Sequence, residues 1–127
     1  MSKEHAEHNE AACDFLAADG QWDDWVVTTA FYSAVHFVEF KMFPMKEGEK
    51  EFKTFELYYE DTKSNSIGGF HKRRKRLVQS RIPEAYPGYK YLMDQARIAR
   101  YKNYQVGKTI ADLAREHLKT IKEHCLK

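Results

Sequence analysis

An all-α fold, an up-and-down four-helix bundle with an additional short or peripheral helix, is predicted by three observations on this chain. Helix breakers are scarce, with three prolines and six glycines in 127 residues, against a helix-favouring mixture of Ala, Glu, Lys, Leu and Arg. Apolar residues recur at three- and four-residue steps over several long segments, and the breakers stand between those segments. A single domain, residues 1–127, accommodates this pattern, since domains commonly run about 100–150 residues.

The elements follow in order. A first helix is expected over 3–18, with Ala12 and Leu16 facing inward and Asp19-Gly20 as the stop signal; its weak apolar stripe puts it at the edge. The strongest segment, 22–43, carries Trp25, Thr29, Tyr32, His36, Phe40 and Phe43 on one set of helical steps. Val27, Ala30, Phe31, Ala34, Val35 and Val38 cover most of the rest, which predicts the central helix, ended by Pro44. Residues 44–69 read as a long loop, with a short helix near 49–59 and a tip in KSNSIGG at 63–69. A helix over 70–81 rests on Leu77 and Val78, and Pro83 follows it. Another, over 89–103, rests on Leu92, Met93, Ala96 and Ala99. The last, 106–124, rests on Ile110, Leu113, Ala114, His117, Leu118 and Ile121.

The formal net charge of +2 hides an asymmetry. Residues 1–69 hold 6 Lys/Arg against 14 Asp/Glu, a net −8, whereas residues 70–108 hold 11 against 2, a net +9. So basic a block points either to an anionic partner or to pairing with the acidic half of this or a second copy. The charged start MSKEHAEHNE lacks the apolar core of a signal peptide, and no apolar run reaches the roughly 18 residues of a membrane span. A soluble, cytoplasmic protein with no membrane association is expected, with Cys13 and Cys125 as unpaired thiols outside any CxxC spacing.

Several side chains stand where a core helix would carry apolar ones. His36 sits in the middle of FYSAVHFVEF, with Glu39 three residues on. In FHKRRKR, His71, Arg74 and Val78 share a face. In QARIARYKNYQ, Arg100 lines up with Met93 and Ala96, and Arg97 and Tyr101 form the adjacent row. Two readings apply to the arginines: a structural one, with Arg100 meeting a buried carboxylate such as Glu39, and a functional one, a guanidinium fork for phosphate. For His36, a core imidazole hydrogen-bonded to a neighbour stands beside a role in a site. The run of five Lys/Arg after His71 reads as a solvated face or a nucleic-acid patch, and Tyr86, Tyr89, Tyr91, Tyr101 and Tyr104 read as core residues or base-stacking platforms. There is no phosphate-binding glycine loop, no dinucleotide fingerprint, no HExxH and no ExxH pair, so no metal and no cofactor is expected.

Together, WDDWVVTTAFYSAVH (22–36), HKRRKRLV (71–78), YKYL (89–92) and ARIARY (96–101) resemble the HEPN (higher eukaryotes and prokaryotes nucleotide-binding) helical bundles of bacteria, over roughly residues 4–121. The resemblance implies an up-and-down helical bundle, commonly a homodimer. Many members of the family are metal-independent ribonucleases or toxins, often paired with a minimal nucleotidyltransferase; others bind nucleotides or act as non-catalytic partners. The ribonucleases carry an Arg followed after four to six residues by His. Here Gln105, Val106 and Gly107 stand at those places after Arg100, and Lys102, Asn103 and Tyr104 after Arg97, so the motif histidine is absent.

The expectation is therefore a nucleotide- or RNA-binding or interaction module, possible partners being nucleotide, RNA, a second copy and a minimal nucleotidyltransferase in a toxin-antitoxin or related system. Its ligand-binding residues are His36, His71, Arg74, Arg97, Arg100 and Tyr101. One alternative is a metal-independent endoribonuclease in which His36 or His71 replaces the missing histidine and Arg100 stabilises the phosphate. A third reading is a non-catalytic bundle whose polar residues fix register or a dimer seam.

Overall fold

The computed structural model describes residues 2–65 and 67–127. The described residues form six helices and one small hairpin: α1 (Ser2–Asp19), α2 (Asp23–Met42), β1 (Met45–Glu47), β2 (Lys50–Phe52), α3 (Phe55–Thr62), α4 (Phe70–Arg81), α5 (Tyr86–Tyr101) and α6 (Lys108–Cys125). The protein is all-α apart from the hairpin. Helix α2 is central and packs against α1, α5 and α6, while α4 packs on α5, and α3 on β2 and α4.

Asp23 and Asp24 in the first turn of α2 suit the positive end of its dipole. Its fully buried residues are Val27, Ala30, Ala34, Phe37 and Val38, with Val26 and Phe31 nearly so. Burying each large side chain contributes about 1.5–3 kcal/mol. The step pattern through Trp25, Tyr32, His36 and Phe40 is the other face: Trp25 is 51% exposed and Phe40 42%, with Tyr32 and His36 half-buried. A helix apolar all round has no dominant stripe, so contact with α1, α5 and α6, not periodicity, decides which side is covered.

Polar ties lock α1 onto α2. The Ser33 hydroxyl donates to the Ala6 carbonyl at 2.7 Å, and the Cys13 thiol to the Val26 carbonyl at 3.4 Å. Cys13 and Cys125 are buried free thiols, and burial pushes Cys125 up to about 12, so neither is a ready nucleophile.

The expected long loop at 44–69 is more ordered than its composition predicts. Met45 pairs with Phe52 and Glu47 with Lys50 in an antiparallel hairpin whose turn is Gly48-Glu49. Gly48 has φ +62°, the left-handed conformation that suits glycine at the first position of a two-residue hairpin turn. Met45 and Phe52 are buried, and Phe52 meets the Tyr58 ring edge-on at 5.3 Å, so packing on α3 holds strands too short to stand alone. Helix α3 begins later than expected because the Thr54 hydroxyl caps it, accepting from the Leu57 amide at 3.2 Å. Ser66, at the expected loop tip, lies outside the described residues.

Helix α4 has the bounds expected from sequence. Helix α5 starts earlier, at Tyr86, with Pro87 in its first turn where a missing N–H costs nothing. Gly88 lets α5 approach α6 closely, since a Cβ there would stand 3.1 Å from His117 Nδ1.

Candidate anion-binding site around Arg74 and Arg100

Arg74, on α4, is 2% exposed and is the hub of a closed polar cluster. Its Nε donates to the Tyr89 hydroxyl at 2.9 Å, its Nη1 to Glu39 Oε2 at 3.1 Å, and its Nη2 to His71 Nδ1 at 2.8 Å. The guanidinium carbon lies 5.3 Å from the Phe55 ring centre and 5.1 Å from that of Phe70. Every guanidinium nitrogen has a partner, which is what burying a charge requires. Arg74 is thus a structural hub and not the ligand-facing residue that its shared face with His71 predicts. It also takes Glu39, the carboxylate expected for Arg100; Tyr89 is fully buried as part of the same cluster and offers no stacking face.

This cluster sets the protonation of its neighbours. Burial pushes the Glu39 carboxyl up to about 7 against the opposing pull of Arg74. The His71 imidazole is held below its usual range, first by desolvation and then by the Arg74 and Arg100 cations. A guanidinium is a donor only, so His71 Nδ1 accepts from Arg74 and the ring proton sits on Nε2. His71 is exposed as a residue although its ring lies near Phe31 and Phe70, and the bond from Arg74 leaves that N–H as the donor it can offer.

Arg100, on α5, is the opposite case. Its Nε and Nη1 are buried and have no hydrogen-bond partner among the described residues. Its guanidinium carbon lies 5.3 Å from the Tyr32 ring centre and 5.2 Å from that of Tyr101. Ring faces attract the cation but supply no acceptor lone pair in the plane of its N–H bonds. Tyr101 is 74% exposed, and Tyr104 is exposed beyond the end of the helix. The arrangement offers an unsaturated guanidinium, a fixed imidazole N–H within its electrostatic reach and an open aromatic ring. An oxyanion is the chemistry that completes it.

His36 does not join this group. Its ring stacks on that of His5, with centres 3.7 Å apart and planes 21° apart, in a cleft of about 440 Å³ that Glu39, Phe40, Lys53 and Glu56 also line. Burial, then the neighbouring His5 and Arg74, holds His36 down at about 4, so it is neutral at neutral pH. No sequence signal pairs residues 5 and 36; the packing of α1 on α2 does. Arg97 is exposed on α5 and belongs to neither arginine cluster. Of the six residues expected to bind ligand, the fold seats Arg100 against the Tyr101 ring with His71 in its electrostatic reach, ties Arg74 into its own cluster, and sets His36 in a separate cleft and Arg97 at the surface. Tyr32, whose ring seats Arg100, is not among the residues that sequence points to, although its place one turn before His36 marks it.

A larger cavity of about 810 Å³ between α1 and α6 is a weaker candidate. Two ion pairs already cross the groove, Arg115 with Asp14 at 3.0 Å and Lys122 with Glu10 at 2.9 Å. Among the described residues no group of three or more His, Cys, Asp or Glu is placed to hold a metal ion, and no helix is long and apolar enough to cross a membrane. In comparisons with known proteins, no family model, no curated protein and no solved structure matches the chain.

Proposed function

We propose that the chain is a HEPN-like binding module that takes the phosphate of a nucleotide or RNA at Arg100. In this reading α1, α2, α5 and α6 form an up-and-down four-helix bundle, with α3 and α4 peripheral and α4 carrying His71 to the site. The observation that carries it is the pair of buried, partnerless nitrogens on Arg100. A buried donor without an acceptor costs about 1–3 kcal/mol, and a phosphate oxygen removes that cost. The His71 Nε2–H adds a second donor, and the exposed ring of Tyr101 gives a base a face to stack on. The family likeness adds a homodimer and a minimal nucleotidyltransferase partner to the same proposal.

Binding is favoured over ribonuclease chemistry by one feature. A general base at the surface of His71 needs a free lone pair on its outward nitrogen, and the hydrogen bond from Arg74 places that lone pair inward. His36, the other substitute histidine, faces a different cleft. Fluorescence anisotropy with a labelled single-stranded RNA and with ATP, at low salt, tests the reading. Saturable binding that weakens with salt and is lost in Arg100→Ala is expected. Equal binding by wild type and Arg100→Ala, or none by wild type, rejects it, and RNA cleavage in EDTA that His71→Ala abolishes would restore the nuclease.

A further inference from the structure

Arg73 neighbours Arg74 in sequence but points to the other side of α4. There it lines a separate pocket of about 340 Å³ bounded by the hairpin, α3 and α4. We propose that this pocket binds the phosphate group of a small molecule, with Arg73 as its buried anchor and Arg81 at its rim.

The Arg73 side chain is 5% exposed. Its Nη2 donates to the Thr62 hydroxyl, and its guanidinium carbon lies 5.9 Å and 5.6 Å from the ring centres of Tyr58 and Tyr59. Its Nη1 is buried with no hydrogen-bond partner among the described residues. A permanently charged group held dry with one nitrogen unsatisfied is the residue a built anion site needs and a purely structural arginine lacks. Nη1 is closed to solvent, so a ligand oxygen that pairs with it has to displace a lining side chain.

The rest of the lining fixes the class of ligand. Arg73 and Arg81 share the lining with a single carboxylate, Glu47, which stands 3.7 Å from Arg81 at the half-exposed rim. Arg76 donates to the Ile67 carbonyl, which ties the chain before α4 to the same wall. The two aliphatic hydroxyls are already committed as donors, Thr62 to the Tyr58 carbonyl at 2.8 Å and Ser80 to the Leu77 carbonyl at 3.1 Å. The arginines therefore supply most of the donors, an environment matched to a group that only accepts. A phosphate, with three acceptor oxygens, can meet Arg73 and Arg81 together where a carboxylate offers only two. The volume lies at the lower end for ligand pockets, which suits a small phosphorylated molecule over a polymer strand.

Titration of ¹⁵N-labelled protein with inorganic phosphate, adenosine monophosphate and acetate, followed by NMR, tests this site. Saturable shifts are expected at the Arg73 side chain and at residues 62–65 and 76–81, with the phosphate compounds binding about tenfold tighter than acetate. The tighter of the two phosphate compounds identifies free phosphate or a phosphate ester as the source. Arg73→Met removes saturation. Because that variant also empties a buried position, the exposed-rim variant Arg81→Gln supplies an independent arm, expected to bind roughly fivefold more weakly with an unchanged fold. Arg100→Ala leaves these shifts intact, which separates this pocket from the proposed RNA or nucleotide contact. Shifts that never saturate, that persist in folded Arg73→Met, that are unchanged in Arg81→Gln, or that acetate reproduces at equal concentration overturn the proposal.

Discussion

Two arginines on adjacent helices meet opposite fates in this fold. Arg74 is buried with a carboxylate, a phenol and an imidazole on its three nitrogens, whereas Arg100 is packed between two tyrosine rings with two nitrogens unsatisfied. The first arrangement is complete and has nothing left to offer a ligand. The second is incomplete, and its incompleteness is the case for function. Residue type and helical spacing are the same in both; the difference lies in whether a second and a third helix deliver acceptors.

The largest effect that tests this contrast comes from the closed cluster. Arg74→Met leaves Glu39 buried beside a thioether, and a loss of about 3–5 kcal/mol in urea unfolding is expected. A loss below about 1 kcal/mol would mean that the cluster is not the hub described here. Arg100→Ala is expected to change stability by less than about 1 kcal/mol, since it removes two ring contacts together with two unsatisfied donors. Its RNA or nucleotide affinity should nonetheless fall at least about tenfold in anisotropy, because a charge-assisted contact to phosphate is lost. Stability and binding should therefore separate between the two arginines, and a variant pair that loses both together would erase the distinction.

Tyr101→Ala tests the open side at smaller amplitude. Stacking on an exposed ring contributes about 1–3 kcal/mol per base, so RNA affinity should weaken while inorganic phosphate binding stays constant. Loss of both would place Tyr101 in the phosphate contact instead. Arg97→Ala, at an exposed position outside both clusters, should alter stability by no more than about 0.5 kcal/mol, and binding only through the general salt-dependent attraction.

The closed cluster and the neighbouring His36 together have a pH signature with opposed parts. Glu39 is pushed from an ordinary 4.5 up to about 7, so the folded chain holds its proton more tightly than the unfolded chain. Its contribution is present below 4.5 and is lost as pH rises towards 7. His36 moves the other way, from 6.5 to about 4, so its contribution is present above 6.5 and is lost as pH falls towards 4. His71 shares the direction of His36. Glu39→Gln removes the opposing carboxyl, and its melting temperature should fall more steeply than that of wild type between pH 6.5 and 4.5. A parallel pair of melting curves across that range would place the Glu39 titration elsewhere.

The sequence alone determined the helical class, the centrality of α2 and the bounds of α4, because period and breakers are local properties that contact later reinforces. It also marked His36, His71, Arg74, Arg97, Arg100 and Tyr101 as candidates without separating them, since an arginine or histidine on an apolar row is visible as an exception to the pattern. It did not determine which of two neighbouring arginines takes Glu39, that His36 stacks on His5, or that Arg73 and Arg74 serve different pockets. Those outcomes depend on where α1, α3 and α5 set their side chains against α2 and α4. Only the tertiary structure decided them, because whether a buried charge is complete is settled by the acceptors that other elements bring within hydrogen-bond reach.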